Sequence, residues 1–237
     1  MFNNSYAYPA SGNVLTKAEQ NLLLRSVYNW MTLGLFVSGL TAYFVAASPA
    51  IQEMIFGNSF TVWILFLIEL GLVFTISGAI RRLSSGTAAT LFLLFSFING
   101  LTLSSIFLIY TMTSIAATFF VTALTFGVTS FYGYITKTDL TSIGKYLFMA
   151  LIGLIIASVV NIFMHSSGLN WIISYAGIII FVGLTAWDTQ KIKRMGEQML
   201  DRNDENFKKL AVLGSLTLYL DFINLFLFML NFMGRRD

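Results

Sequence analysis

Three carboxylates stand inside otherwise apolar stretches of this chain: Glu69, Asp188 and Asp221. An ionisable side chain at membrane depth is costly, and it normally faces a bundle interior or a water-filled cavity. The first expectation for all three is therefore function, and the alternative is a structural ion pair. Helix rise sets their depth. Asp188 lies three residues before Lys191, about 5 Å from the membrane surface. Asp221 is about 14 Å deep and Glu69 about 18 Å. This places Asp188 in a shallow layer with Arg81 and Arg82, and Glu69 with Asp221 in a deeper one. Helix tilt could bring Asp188 and Asp221 together. Thr217, Asp221 and Asn224 recur at i, i+4 and i+7, one helical face. Glu69, Thr217 and Asn224 are thus candidates to line a polar path.

Two carboxylates in a water-poor site cannot both be charged cheaply, and their titration belongs to the pair. Such a pair changes charge with pH and offers oxygens to a hard cation such as Ca²⁺. The residues alone argue for proton sensitivity and do not by themselves specify Ca²⁺. Small and polar groups elsewhere, such as Asn99, Thr102, Ser104 and Ser105, are expected mainly to serve packing, as are Gly71, Thr75 and Gly78.

Other chemistry is poorly supplied. There are no cysteines and one histidine, His165, in an expected outer loop. No metal-binding helix motif, nucleophile elbow or phosphate loop is present. Every lysine falls at an expected interface, which excludes a mid-membrane Schiff base. No basic stripe with interleaved aromatics points to nucleic acid. The expectation is a protein that is not an enzyme and needs no cofactor.

The elements that must position these residues are membrane helices. The chain is 57% hydrophobic and 11% charged, against about 25% charged in soluble domains. Mean hydropathy is +0.77. Seven apolar blocks are long enough to cross a bilayer, which takes about 20 residues: Ser26–Ala47, Phe60–Ile80, Ala88–Tyr110, Ser114–Ile135, Tyr146–Met164, Trp171–Asp188 and Val212–Met233. The fold class is all-α, a polytopic bundle of seven transmembrane helices. Residues 1–24 read as a flexible cytoplasmic tail, with Thr16 to Glu19 as a capping box for a helical lead-in. Residues 25–234 form one membrane domain, and 235–237 a short tail. The charged connection 189–211 is either a continuation of the sixth helix that turns near Asn203 or a solvated loop.

Lys and Arg are divided unevenly. Lys17, Arg25, Arg81, Arg82, Lys137, Lys145, Lys191, Lys193, Arg194, Arg202, Lys208 and Lys209 share one side, and Arg235 and Arg236 take the other. The positive-inside rule puts the larger group, and the N-terminus, in the cytoplasm. Seven spans then leave the C-terminus outside, whereas a re-entrant last helix would return it.

Two segments resemble the Bax inhibitor-1, or lifeguard, family, in its bacterial inner-membrane branch. One runs from Phe181 through Trp187-Asp188-Thr189 to Ile192, and the other from Ser215 through Tyr219-Leu220-Asp221 to Phe226. A third match is Ala117, Thr122, Ala123, Leu124 and Phe126. The resemblance implies six helices around a central C-terminal helix and a pH-sensitive Ca²⁺ leak channel. It implies Asp188 and Asp221 as pH sensor and Ca²⁺-binding pair, Arg81 or Arg82 as a latch for Asp188, and Glu69 as a further site residue. Where many members carry Gly-Pro, this chain has Ser104-Ser105. Expected partners are the lipid bilayer, Ca²⁺ and H⁺. A competing expectation is a non-transporting regulator of a membrane protease or a death- or stress-pathway protein. A third is an intramembrane aspartyl protease, disfavoured because Leu218-Tyr-Leu-Asp221 replaces Gly-x-Gly-Asp.

Overall fold

In lipid every backbone N–H and C=O must be satisfied within the chain, and the helix does this locally. The computed structural model, which describes residues 17–197 and 205–235, follows that rule throughout. Its helices are α1 (Lys17–Ala46), α2 (Pro49–Phe56), α3 (Ser59–Ala79), α4 (Ser85–Leu103), α5 (Ile106–Ile109), α6 (Met112–Ile135), α7 (Thr141–Met164), α8 (Ser167–Glu197) and α9 (Glu205–Met233). Seven candidate spans result, with α4 and α5 sharing one and α2 lying between the first two.

Capping side chains start several helices where the sequence supplies them. Asn58 Oδ1 accepts from the Phe60 amide at 2.9 Å, and Ser84 Oγ accepts from the Thr87 amide at 3.1 Å. Each satisfies a first-turn donor that has no partner within its helix. The break between α4 and α5 falls at Ser104 and Ser105. Their hydroxyls donate back to the Leu101 and Thr102 carbonyls at 2.6 and 2.8 Å. Such back-bonding competes with the helical ladder and bends it.

Helix α9 is the axis of the molecule. It packs against α1, α3, α4, α6 and α8, and 67% of its spanning window is buried, against 6% for α3 and for α7. It also crosses the full thickness. Near its start, Glu205 accepts from the Ser85 amide and hydroxyl at the α3–α4 connection. Beyond its end, the Arg235 amide donates to Ser114 Oγ at 2.9 Å, and the Thr111 amide donates to the Arg235 carbonyl at 3.2 Å, both beside the start of α6. Its 29 residues extend about 43 Å, long enough to cross a bilayer.

Element ends differ from the sequence expectation in informative ways. Helix α1 begins at Lys17, so residues 17–24 of the expected tail are helical, with Leu23 and Leu24 buried. Residues 1–16 of that tail lie outside the described residues. Helix α8 continues to Glu197, nine residues past Asp188, which favours the helical reading of the 189–211 connection over a loop. The turn expected near Asn203 lies outside the described residues. Gly71 and Gly78, expected at a helix contact, have nothing within 4 Å of an added Cβ, and Thr75 bonds only its own helix. They sit on the lipid-facing side of α3.

Candidate functional site

Asp188 is held at its depth by neighbours on both sides of α8. A Cβ on Gly133 of α6 would collide with the Ala186 carbonyl oxygen, and one on Gly144 of α7 would enter the Trp187 ring. Only glycine allows these close approaches. One residue past Asp188, Thr189 Oγ1 bonds Ser130 Oγ of α6 at 2.8 Å, and Ser130 in turn bonds the Tyr28 hydroxyl of α1. Next, Gln190 Oε1 accepts from the Leu140 amide at 2.9 Å and its Nε2 donates to the Thr138 carbonyl at 2.8 Å. The carboxylate therefore rides on a segment fixed to α6, α7 and their connection.

Asp221 is positioned by the depth at which α9 is seated. Ser215 Oγ contacts the Val27 carbonyl at 2.9 Å and the Ala211 carbonyl at 2.5 Å. Gly214 permits the close approach to Val27 and Ile192. Asp188 is 7% exposed and Asp221 5%. The helices that carry them, α8 and α9, pack against one another. Lys191 itself lies over the Trp187 ring, 5.1 Å from its centroid. Asp221 Oδ2 is buried and has no hydrogen-bond partner among the described residues. Buried polar atoms are nearly always paired, so the orphaned carboxylate oxygen makes this the leading candidate site.

The other expected site residues do not join this pair. Glu69 faces α4, where Oε1 accepts from Thr102 Oγ1 at 2.5 Å and Oε2 from Asn99 Nδ2 at 3.1 Å. Asn99 Oδ1 then accepts from the Tyr219 hydroxyl at 2.8 Å, and that hydroxyl meets Ser38 Oγ at 2.6 Å. A second polar network thus links α1, α3, α4 and α9. Tyr219, fully buried beside Phe92 and Phe95, is its centre. Thr217 and Asn224 donate to the Leu213 and Leu220 carbonyls of their own helix, at 3.1 and 2.8 Å. Arg81 and Arg82 are exposed. Among the described residues the ion pair within 4.0 Å is Arg194–Asp139, at 2.8 Å, so neither latch candidate pairs with Asp188.

Sequence reasoning missed Tyr219, Gln190 and Thr189. The only available signal was the presence of buried-type polar groups within one turn of each aspartate. No cluster of three or more acidic, His or Cys side chains capable of holding a metal occurs among the described residues. Two carboxylates supply at most four of the roughly six to eight oxygens Ca²⁺ prefers. The pair suits proton exchange and passing contact with a cation better than permanent retention.

Residues 20–237 match the sequence profile of the family described as "Inhibitor of apoptosis-promoting Bax1". The chain is 48% identical to the inner membrane protein YbhL of Escherichia coli K12, over 97% of this chain and 98% of that protein. It is 50% identical to an uncharacterized protein of Borreliella burgdorferi, over 94% and 97% of the two chains. A Rickettsia prowazekii protein, also uncharacterized, is 45% identical over 89% and 88%.

Proposed function

The chain belongs to the Bax inhibitor-1 family, and on that premise we propose that it is a pH-sensitive Ca²⁺ leak pathway of a bacterial inner membrane, gated by protonation of the Asp188–Asp221 pair. The observation that carries this reading is a buried carboxylate on each of the last two spans, which pack against one another, one of the two with an unpartnered oxygen. The membrane assignment rests on the likeness to an inner membrane protein. The protein acts without chemical conversion, as a conduit.

The gate works through charge. With a proton shared between them, the carboxyl groups bond to one another and hold α8 against α9. With both ionised, they repel. The cost of charging both grows as water is excluded from around them. The ionised pair also attracts a divalent cation, so H⁺ and Ca²⁺ compete for the same oxygens. Arg81 and Arg82, both exposed and without an ion pair among the described residues, supply the latch when one of them swings to Asp188.

Ca²⁺ flux into proteoliposomes tests this. Wild-type protein gives a flux that differs between pH 6 and pH 8. Asp188→Asn, Asp221→Asn and the double variant bring that ratio to about one. An unaltered pH response in all three, with the variants folded and inserted, removes the proposal. A co-purifying membrane protein together with no flux from the pure protein would favour the regulatory alternative.

A further inference from the structure

Helices α1 and α6 both pack on α8 and α9 and meet one another through the Tyr28–Ser130 and Tyr134–Asn21 hydrogen bonds, with a gap beside them. The space between them is a crevice of 1020 Å³ with Phe222 of α9 as its floor. Its walls are mainly apolar, and its rim carries Phe36 and Phe131, exposed by 61% and 62%. Gly39 on one wall and Gly127 on the other have nothing within 4 Å of an added Cβ. The gap is therefore open width and not a tight helix contact. Along α1 its lining runs from Asn21 to Leu40, about 28 Å. One leaflet's hydrocarbon is about 15 Å deep, so the crevice accommodates an acyl chain with its headgroup at one end.

That end is polar and positive. Tyr134 donates its hydroxyl to Asn21 Oδ1 at 2.7 Å, tying the two walls together at the mouth. Arg25 lines the mouth, is exposed, and has no ion pair or hydrogen bond among the described residues. Lys193 reaches the same corner, its ammonium 2.9 Å from the Tyr134 carbonyl and 5.0 Å from that ring's centroid. A planar guanidinium with free donors is suited to a phosphate group. An apolar slot that opens into lipid below a free cation matches one molecule in shape and charge together.

We propose that the crevice between α1 and α6 binds one anionic phospholipid from the leaflet at the Arg25 end, with its phosphate on Arg25 and an acyl chain between Gly39 and Gly127. The site is separate from the aspartate pair and does not depend on the leak reading. Native mass spectrometry of the full chain in mild detergent, titrated with phosphatidylglycerol or phosphatidylcholine, tests it. Wild type retains one phosphatidylglycerol in preference to phosphatidylcholine. Gly127→Leu, and independently Gly39→Leu, fill the slot and lower phosphatidylglycerol occupancy at least tenfold. Arg25→Gln keeps a bound lipid but removes the preference between headgroups. Circular dichroism and a monodisperse elution profile establish that each variant is folded. Wild-type occupancy in both folded glycine variants overturns the proposal, as does an unchanged headgroup preference in Arg25→Gln. Binding that appears only after deletion of residues 1–16 would assign the crevice to that segment and overturn it equally.

Discussion

Tyr219 carries a hydroxyl at 0% exposure between Ser38 and Asn99. Removing that oxygen leaves the buried Ser38 and the half-buried Asn99 each short of a partner, which costs about 1–3 kcal/mol. Tyr219→Phe is expected to lower the melting temperature in detergent, and an unchanged melt would show that the network adds nothing. Asp139 behaves differently. Bonds from the Thr141 hydroxyl and amide, and from Arg194, hold its carboxyl down at about 2. Its folded value lies below the ordinary value of about 3.9. Whatever it contributes is therefore complete above about pH 4 and is lost as pH falls through about 2. It stays charged across the pH 6 to 8 range, so Asp139→Asn should leave the flux ratio between those values unchanged. A carbon-13 titration of the Asp139 carboxyl should give a midpoint near 2, and a midpoint near 4 would show the contact with Arg194 and Thr141 to be absent. The three acids within apolar blocks were legible in the sequence because a charge in such a block is conspicuous. Their neighbours were not. Glu69 and Asp221 have similar estimated depths, yet Glu69 turns to Asn99 on α4, a choice set by helix rotation, which periodicity in an apolar sequence does not encode.

The elements around the pair act as a clamp. Gly133 and Gly144 let α6 and α7 close on α8 at Ala186 and Trp187, immediately before Asp188. Gly133→Leu forces the helices apart, and overpacking of this kind costs about 1–3 kcal/mol. It is expected to lower thermal stability and to weaken the pH response of flux together, because the displaced segment carries the carboxylate. Gly153→Leu, on α7 with open space around it, is the control and should alter neither. A Gly133→Leu protein with wild-type stability and pH response would rule out the clamp. The seven spans were legible from block length, since the bilayer demands about 20 apolar residues of any helix that crosses it. Their extensions were legible only in part: a helical lead-in after Thr16 and a continuation of the sixth helix were both expected readings, but Lys17–Leu24 and Thr189–Glu197 are polar enough to read as tail or connection as well. Glycine was the least legible residue. The same residue type is pressed against backbone at Gly133 and open to lipid at Gly71 and Gly78, and only the facing helix decides which.

At the scale of the whole molecule, the structure separates two faces. Ser85, Asp139, Arg194 and Glu205 meet on one face. Thr111, Ser114, Asn170, Asn231 and Arg235 gather on the other, where Asn231 also bonds Ser174 at 2.7 Å. The positive-inside rule predicts that the first face is cytoplasmic, since the described basic residues from Arg25 to Lys209 fall at the helix ends on that side. With α9 running the length of the bundle, the expected place of the C-terminus is outside. The natural lack of cysteine makes this directly measurable. Single cysteines at Arg82 and Thr138 should react with a membrane-impermeant maleimide only in inside-out vesicles. Single cysteines at His165 and Arg235 should react only in right-side-out spheroplasts. Labelling of Arg235→Cys from the same side as Arg82→Cys would mean that α9 fails to cross. Exchange of all four results would keep the fold and invert it in the membrane. That second outcome would also move the Arg25 mouth of the α1–α6 crevice, and the access of protons to the shallow Asp188, to the opposite compartment. The sidedness of both proposed sites is therefore settled by one set of labels.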